Sequence, residues 1–286
     1  MHIVMGATGH VGSAVAETLL ARGEPVGIVT HDPDDADSWR DTKAKIIEAD
    51  VNDVPSLRAA FQRGRRAFLL NPPAGIKTDT DTVERSTVAN ILAAIYDSGL
   101  EKIVAESTAG AQPGDRLGDL NVLWELEEGL RSQTIPAAIN RAPYYFSNWD
   151  EQLHSIRGTG KLQTMYPADL ALPMAAPRDL GKAAADRMLS PAADAGVRYV
   201  EGPDRYSSND VAQAFAEALG RPVEVVVTPR ELWEAAYREL GFSKPAANSY
   251  ARMTAVSLDG GFDYDERSIR GVTTLDEYIR QLVARS

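Results

Sequence analysis

Two hydrophobic periods alternate along the first half of the chain. Residues 2–5, 26–30, 45–49, 67–70, 103–105 and 137–140 are short apolar runs rich in Val, Ile, Leu and Ala. Their length and β-branched content predict strands. Between them, apolar positions recur every three or four residues. Over 10–21, Val11, Val15, Leu19 and Leu20 fall on one helical face, and Gly23 after Arg22 supplies a stop. Asp53 is placed to cap the next helix, with Pro55 in its first turn. Asn71-Pro72-Pro73 ends the fourth strand, a long helix is expected over 80–97 with Gly99 closing it, and another over 119–131.

Strands that alternate with helices must pair in parallel through right-handed crossovers. The fold class expected is therefore α/β, a doubly wound parallel sheet. Such sheets bind ligands beyond the carboxyl ends of their strands, at the switch in strand order. After about Asp150 the alternation loosens. A helix is expected over 178–189 behind Pro177, then a strand at 197–200 and a helix capped by Ser208 or Asn209 and ending at Leu219-Gly220. A β-rich run at 223–227 and helices from about Arg230, Lys244 and Thr274 complete the chain. This predicts a first domain over 1–150 and a smaller C-terminal α/β lobe over 151–286, partly interleaved with the first sheet.

Composition narrows the function classes. A hydrophobic content of 44% over 286 residues provides for a real core. The formal net charge of −11 argues against a broad phosphate-neutralising surface, so no nucleic-acid partner is expected. There is no cysteine, which removes disulfides and thiolate chemistry, and the four histidines are scattered, so no metal site is expected. No apolar run approaches the ~18–20 residues of a membrane span. A strand beginning at His2 leaves no room for a signal sequence, and a cytoplasmic protein is expected.

Candidate chemistry begins at Gly6-Ala7-Thr8-Gly9-His10-Val11-Gly12, between the first strand and the first helix. One glycine makes the tight turn, the second lets backbone approach a pyrophosphate, and the third permits close helix–strand packing. The helix start then presents free N–H groups to the phosphates. This is the arrangement of a Rossmann-type dinucleotide site, and it makes 1–150 an NAD(P)-binding domain and 151–286 a substrate lobe. The turn resembles that of the atypical short-chain dehydrogenases/reductases, and more narrowly of the NmrA-like family. Glu48-Ala49-Asp50-Val51, Arg141-Ala142-Pro143 with Phe146-Ser147-Asn148, Ala175-Ala176-Pro177-Arg178-Asp179-Leu180 and the helix at 272–283 resemble further family segments, in order. Within the family the pattern resembles the branch of triphenylmethane reductase and the NADPH-dependent quinone reductases. The resemblance implies an oxidoreductase that binds NADP(H) or NAD(H), with Asp50 and Val51 against adenine.

The second strand ends in Thr30-His31-Asp32. NADPH-using relatives carry arginine where His31 stands. Histidine donates to a phosphate but lacks the arginine fork. The reading favours NADP(H) with NAD(H) open. Asp32 serves a ribose hydroxyl or caps the segment that follows, and Asp50 contacts adenine or simply shapes its turn. Asn71 and Pro72 form a firm edge beside the cofactor ribose, or only a strand stop.

Short-chain dehydrogenases use a Tyr-x-x-x-Lys pair in which lysine lowers the tyrosine pKa. No tyrosine here is followed four positions later by lysine, and Leu123 falls near the expected lysine position. Candidate catalytic residues are therefore Ser107, with Thr108, after the fifth strand, and Tyr144 and Tyr145 after the sixth. With Phe146, Trp149 and Trp124 the tyrosines either wall a pocket for a small apolar or aromatic substrate or belong to the core. Two functions fit: hydride delivery from NAD(P)H to a quinone-like or dye-like acceptor, or a non-catalytic redox sensor acting through a regulatory protein partner. A homodimer is left open.

Overall fold

A computed structural model describes residues 1–260 and 267–285 of the chain. The first half runs β1 (His2–Met5), α1 (His10–Ala21), β2 (Val26–Thr30), a 3₁₀ helix (Pro33–Trp39), β3 (Lys45–Glu48), α2 (Val54–Phe61), β4 (Arg66–Leu69), α3 (Thr80–Ile95), β5 (Lys102–Thr108), α4 (Asp119–Arg131) and β6 (Ala137–Ala142). The second half adds β7 (Tyr144–Tyr145), α5 (Leu153–Thr159), β8 (Lys161–Thr164), β9 (Leu172–Ala175), α6 (Pro177–Leu189), β10 (Gly196–Glu201), β11 (Arg205–Tyr206), α7 (Ser208–Leu219) and β12 (Glu224–Val227). It ends with α8 (Trp233–Glu239), α9 (Lys244–Gly260), β13 (Ile269–Arg270) and α10 (Leu275–Arg285).

The main sheet has the order β13-β10-β6-β5-β4-β1-β2-β3, and its pairs are parallel. The Rossmann-like α/β architecture expected from the alternation is present. Helices cover both faces, which is why β1 and β4 read as continuous apolar runs rather than alternating ones. One core layer joins the sheet to α2, α3 and α4 through Ile3, Leu57, Leu69, Ile91, Ile103 and Leu126. The opposite layer joins it to α1 and α6 through Val4, Val15, Leu19, Phe68, Val104 and Leu180. α6 lies hard against α1: a Cβ on Gly181 would fall 2.4 Å from that of Ala14. The strand order reverses between β1 and β4, so the crevice opens where Gly6 follows β1 and Asn71 follows β4.

The elements of the second half divide between this sheet and two small ones. β10 pairs with β6 and β13 with β10, while β11-β9-β7 and β12-β8 form separate sheets over a third core containing Phe146, Trp149, Leu162, Met174 and Phe215. Strands β7, β8 and β9 have two to four residues, too few for a periodic signal. β5 is longer than its apolar run: Glu106, Ser107 and Thr108 pair with Asn140, Arg141 and Ala142 of β6, and at the other end buried Lys102 is satisfied by Ser190 Oγ at 2.7 Å and the Pro191 carbonyl at 3.0 Å. α3 stops at Ile95, two residues short of the expected end, and the chain turns through positive φ at Asp97 and Gly99. The cap of α7 is Ser207, not Ser208 or Asn209, because Ser207 and Asp210 form a reciprocal capping box. Among the described residues no helix is long and apolar enough to cross a membrane.

Candidate active site

The glycine turn is built for close approach from one side only. Gly6 holds φ +69°, and the Gly9 amide donates to its carbonyl at 3.0 Å. A Cβ on Gly12 would sit 2.2 Å from the Gly6 carbonyl oxygen, so backbone packs there without room for any side chain. A Cβ on Gly9 would meet nothing nearer than that same oxygen at 3.5 Å. The space in front of Gly9 is open, and Thr8, Gly9 and His10 are exposed while Ala7, Val11 and Gly12 are buried. The first-turn amides of α1 have no acceptor within the helix, no acidic residue occupies that turn, and the dipole favours an anion. These features fit a dinucleotide pyrophosphate. The Trp39 indole N–H donates to the Ala7 carbonyl at 3.1 Å and pins the turn from beneath. That contact crosses 32 positions and has no local signature in the sequence.

At the end of β2, His31 is exposed. Asp32 accepts the Asp34 amide at 2.9 Å through Oδ1 and caps the 3₁₀ helix, the second of its two sequence readings. Asp50 accepts the Asn52 amide at 2.8 Å, and its own amide donates to Ser56 Oγ at 3.1 Å, so it organises its turn; Val51 packs on the core. Neither arrangement blocks a contact with adenine. Asn71 accepts the Thr87 hydroxyl at 2.7 Å and donates to the Glu84 carbonyl at 3.3 Å, so the Asn71–Pro72 edge is fastened to α3.

Ser107 does not face an open site. It is buried, and its hydroxyl donates to Glu127 Oε1 at 2.6 Å. The same carboxylate takes Arg141 through Nε and Nη2, each at 2.9 Å, and Arg131 at 2.7 Å. Ser107 therefore helps tie β5, β6 and α4 together. Leu123 packs against the core on that helix, with no ammonium in its place.

Tyr144 and Tyr145 are half-buried at the carboxyl edge of β6. Tyr144 lies 5.4 Å from Trp149 and 6.2 Å from Tyr166, ring centre to ring centre. Tyr237 of α8 and Tyr250 of α9 meet edge to face with ring centres 5.7 Å apart, with Phe242 beside both. Tyr237 lies close enough to Tyr144 and Tyr166 to influence both hydroxyls, so the two aromatic groups are neighbours. Burial pushes the Tyr144 hydroxyl up, with Tyr166 and Tyr237 adding to it. Burial raises Tyr145 well above the usual phenol value, and Glu106 and Asp119 raise it further. These surroundings act opposite to a catalytic lysine.

Three carboxyls that sequence reasoning passed over lie around these tyrosines. Glu106 on β5 is sealed from solvent beside Asn140, its register partner on β6, whose side-chain amide is the polar group facing its carboxyl. Burial pushes the Glu106 carboxyl well above its ordinary range. Desolvation raises the carboxyl of Asp119, the first residue of α4, as well. Glu84 of α3 accepts the Ala74 amide at 2.9 Å and is raised to about 7, by burial first and then by Asp119. Among the described residues no group of acids and histidines is arranged to hold a metal. A separate cavity of about 440 Å³ beside the C-terminal half of α1, lined by Glu17, Trp39 and Lys43 among others, lies away from this edge.

Glu84 links the site to stability. Its folded value of about 7 exceeds the ordinary 4.5, so the folded state favours the protonated acid. The stability this contributes is complete below the unfolded value and is lost as pH rises through the folded one. Glu84→Gln, which stays neutral, should match the wild type near pH 4.5 and gain about 2–3 kcal/mol over it at pH 8. Thermal melts at both pH values test this; an equal shift at each would assign the effect to packing.

The likenesses to known proteins agree with this geometry. A nitrogen metabolite regulation-like protein of Gibberella fujikuroi is 26% identical over 83% of this chain and 72% of its own. The triphenylmethane reductase of Citrobacter sp. superposes with a TM-score of 0.81 at 20% identity, over 99% of both chains. An NADPH-dependent quinone oxidoreductase of Escherichia coli, solved with NADPH, gives 0.81 at 21% identity over the same shares. The model of the NmrA-like family matches residues 2–279, and the chain belongs to that family.

Proposed function

We propose that the chain is an NAD(P)H-dependent reductase that delivers hydride to a small, flat aromatic acceptor of quinone-like or dye-like character. The observation that carries this reading is the aromatic group at the carboxyl edge of β6: Tyr144 stands against Trp149 and Tyr166, and Tyr145 beside it is flanked by carboxyls instead of a lysine. A bound nicotinamide dinucleotide supplies the hydride. The residues Gly6 to Gly12 hold its pyrophosphate, with His31 at the adenosine ribose, Asp50 and Val51 by adenine, and Asn71 and Pro72 along the nicotinamide ribose. Tyr144 and Tyr145 present rings and hydroxyls to the acceptor. NADP(H) is the preferred cofactor in this reading, supported by the structural relatives solved with it, and the cytoplasm is the compartment.

A second reading, a dinucleotide-binding sensor that acts on a protein partner, draws on the regulatory relative. Calorimetry with NADPH followed by steady-state NADPH consumption over a quinone and dye panel separates the two. Micromolar binding with turnover supports the reductase. Tight binding without turnover on any acceptor supports the sensor, and no dinucleotide binding rejects both.

A further inference from the structure

His31, at the end of β2, offers no guanidinium fork to a ribose 2′-phosphate, and the surrounding segment is acidic. Residues 31–43 contain Asp32, Asp34, Asp35, Asp37 and Asp41 against only Arg40 and Lys43 as fixed cations. Asp32 is occupied in capping. Arg40, at the end of the 3₁₀ helix, turns its guanidinium back along that helix: Nη2 meets Asp34 Oδ1 at 2.9 Å and Nε meets Asp37 Oδ1 at 2.6 Å. Asp34 lies just beyond the end of β2, so the head of Arg40 is drawn towards the strand terminus. Trp39, the preceding residue, is 5% exposed and donates to Ala7 of the glycine turn. The base of Arg40 is thereby fixed to the pyrophosphate loop while its head reaches towards β2. In this fold the ribose 2′-substituent lies between those two places.

Both ion pairs are exposed: Arg40 is 54%, Asp34 88% and Asp37 70% accessible at the side chain. Pairs this exposed hold little in water, whereas a guanidinium fork on a phosphate is strong and directional. We propose that Arg40 is the residue that reads the 2′-phosphate, parked between Asp34 and Asp37 until the phosphate displaces them. The two aspartates keep the segment hostile to a dianion that does not engage Arg40. The inference rests on the reductase reading only in that it requires a dinucleotide at Gly6–Gly12.

Calorimetry with NADPH, NADH, adenosine 2′,5′-bisphosphate and 5′-AMP tests it without any turnover. Arg40→Met should lower the preference for NADPH over NADH, and for the bisphosphate over 5′-AMP, roughly ten- to a hundredfold. NADH and 5′-AMP affinity should stay within about twofold. Asp34→Asn with Asp37→Asn should tighten NADPH and leave NADH unchanged. The deciding variant is Arg40→Met in that doubly neutralised background. A retained loss of preference there supports direct contact; no loss means that Arg40 only offsets the two acids and overturns the proposal. An unchanged preference in the single Arg40 variant, or a preference removed by His31→Ala alone, or no preference in the wild type, also overturns it while leaving the reductase intact. A wild type that binds neither dinucleotide overturns both.

Discussion

Gly9→Val should give a folded chain that no longer binds dinucleotide. Gly9 has φ −104°, a value that any residue adopts, and a Cβ there would meet only the Gly6 oxygen at 3.5 Å. Valine therefore strains nothing in the free protein, but its methyl groups project into the space a pyrophosphate needs. The expected loss in NADPH affinity is over about a hundredfold, since backbone-to-phosphate contacts are removed together. Gly12→Ala should do the reverse. Its methyl would lie 2.2 Å from the Gly6 carbonyl oxygen and 2.8 Å from the Ala7 nitrogen, so the β1–α1 junction must open. A stability loss of about 1–3 kcal/mol or more is expected, with binding lost as a consequence. Circular dichroism melts and calorimetry on both variants check the contrast. Undiminished binding by a folded Gly9→Val chain would falsify the pyrophosphate site.

That contrast marks what the sequence makes legible. The glycine spacing, the strand before it and the helix after it are contiguous, so their geometry follows from local rules. Parallel pairing also followed, because helices between strands leave the chain few alternatives. The absence of a tyrosine–lysine pair is a statement about spacing and needed no coordinates. Ser107 was different: its position after β5 matched a catalytic serine, but its partner Glu127 lies on α4 and Arg141 on β6, so its role depends on three-dimensional neighbours. Trp39 is hidden for the same reason, as are Tyr237 and Tyr250, which come close to this edge from helices late in the chain. Glu106 and Glu84 read as ordinary charges on a strand and a helix. Only burial shows that their ionisation is opposed. Short elements fared worst: β7, β8 and β9 form because partners are already in place, not because their residues insist on it.

The carboxyl-flanked tyrosines lead to a sharp expectation about acceptors. Hydride addition to a simple ketone creates an alkoxide, which needs a proton donor at the transition state, and such general acid catalysis is worth roughly 10²–10⁴-fold. Lysine lowers a tyrosine towards working pH in enzymes that do this. Here burial, Glu106 and Asp119 push Tyr145 the other way, so its proton is held too tightly to be given up readily. A quinone spreads the incoming charge over its ring, and a cationic dye is neutralised by it, so neither depends on one well-placed phenol. NADPH consumption should therefore be measurable with members of a quinone and dye panel and at least about a hundredfold slower with unactivated ketones. Tyr145→Phe should lower the quinone rate by less than about tenfold, because the ring is retained and only a poor acid is lost. Ser107→Ala should act mainly on stability, since its hydroxyl is engaged by Glu127. The measurement is steady-state kinetics of the wild type and both variants on matched quinone and ketone panels. Efficient ketone reduction that Tyr145→Phe abolishes would show that the enzyme overcomes the pKa its surroundings impose, and would sink this account of its chemistry.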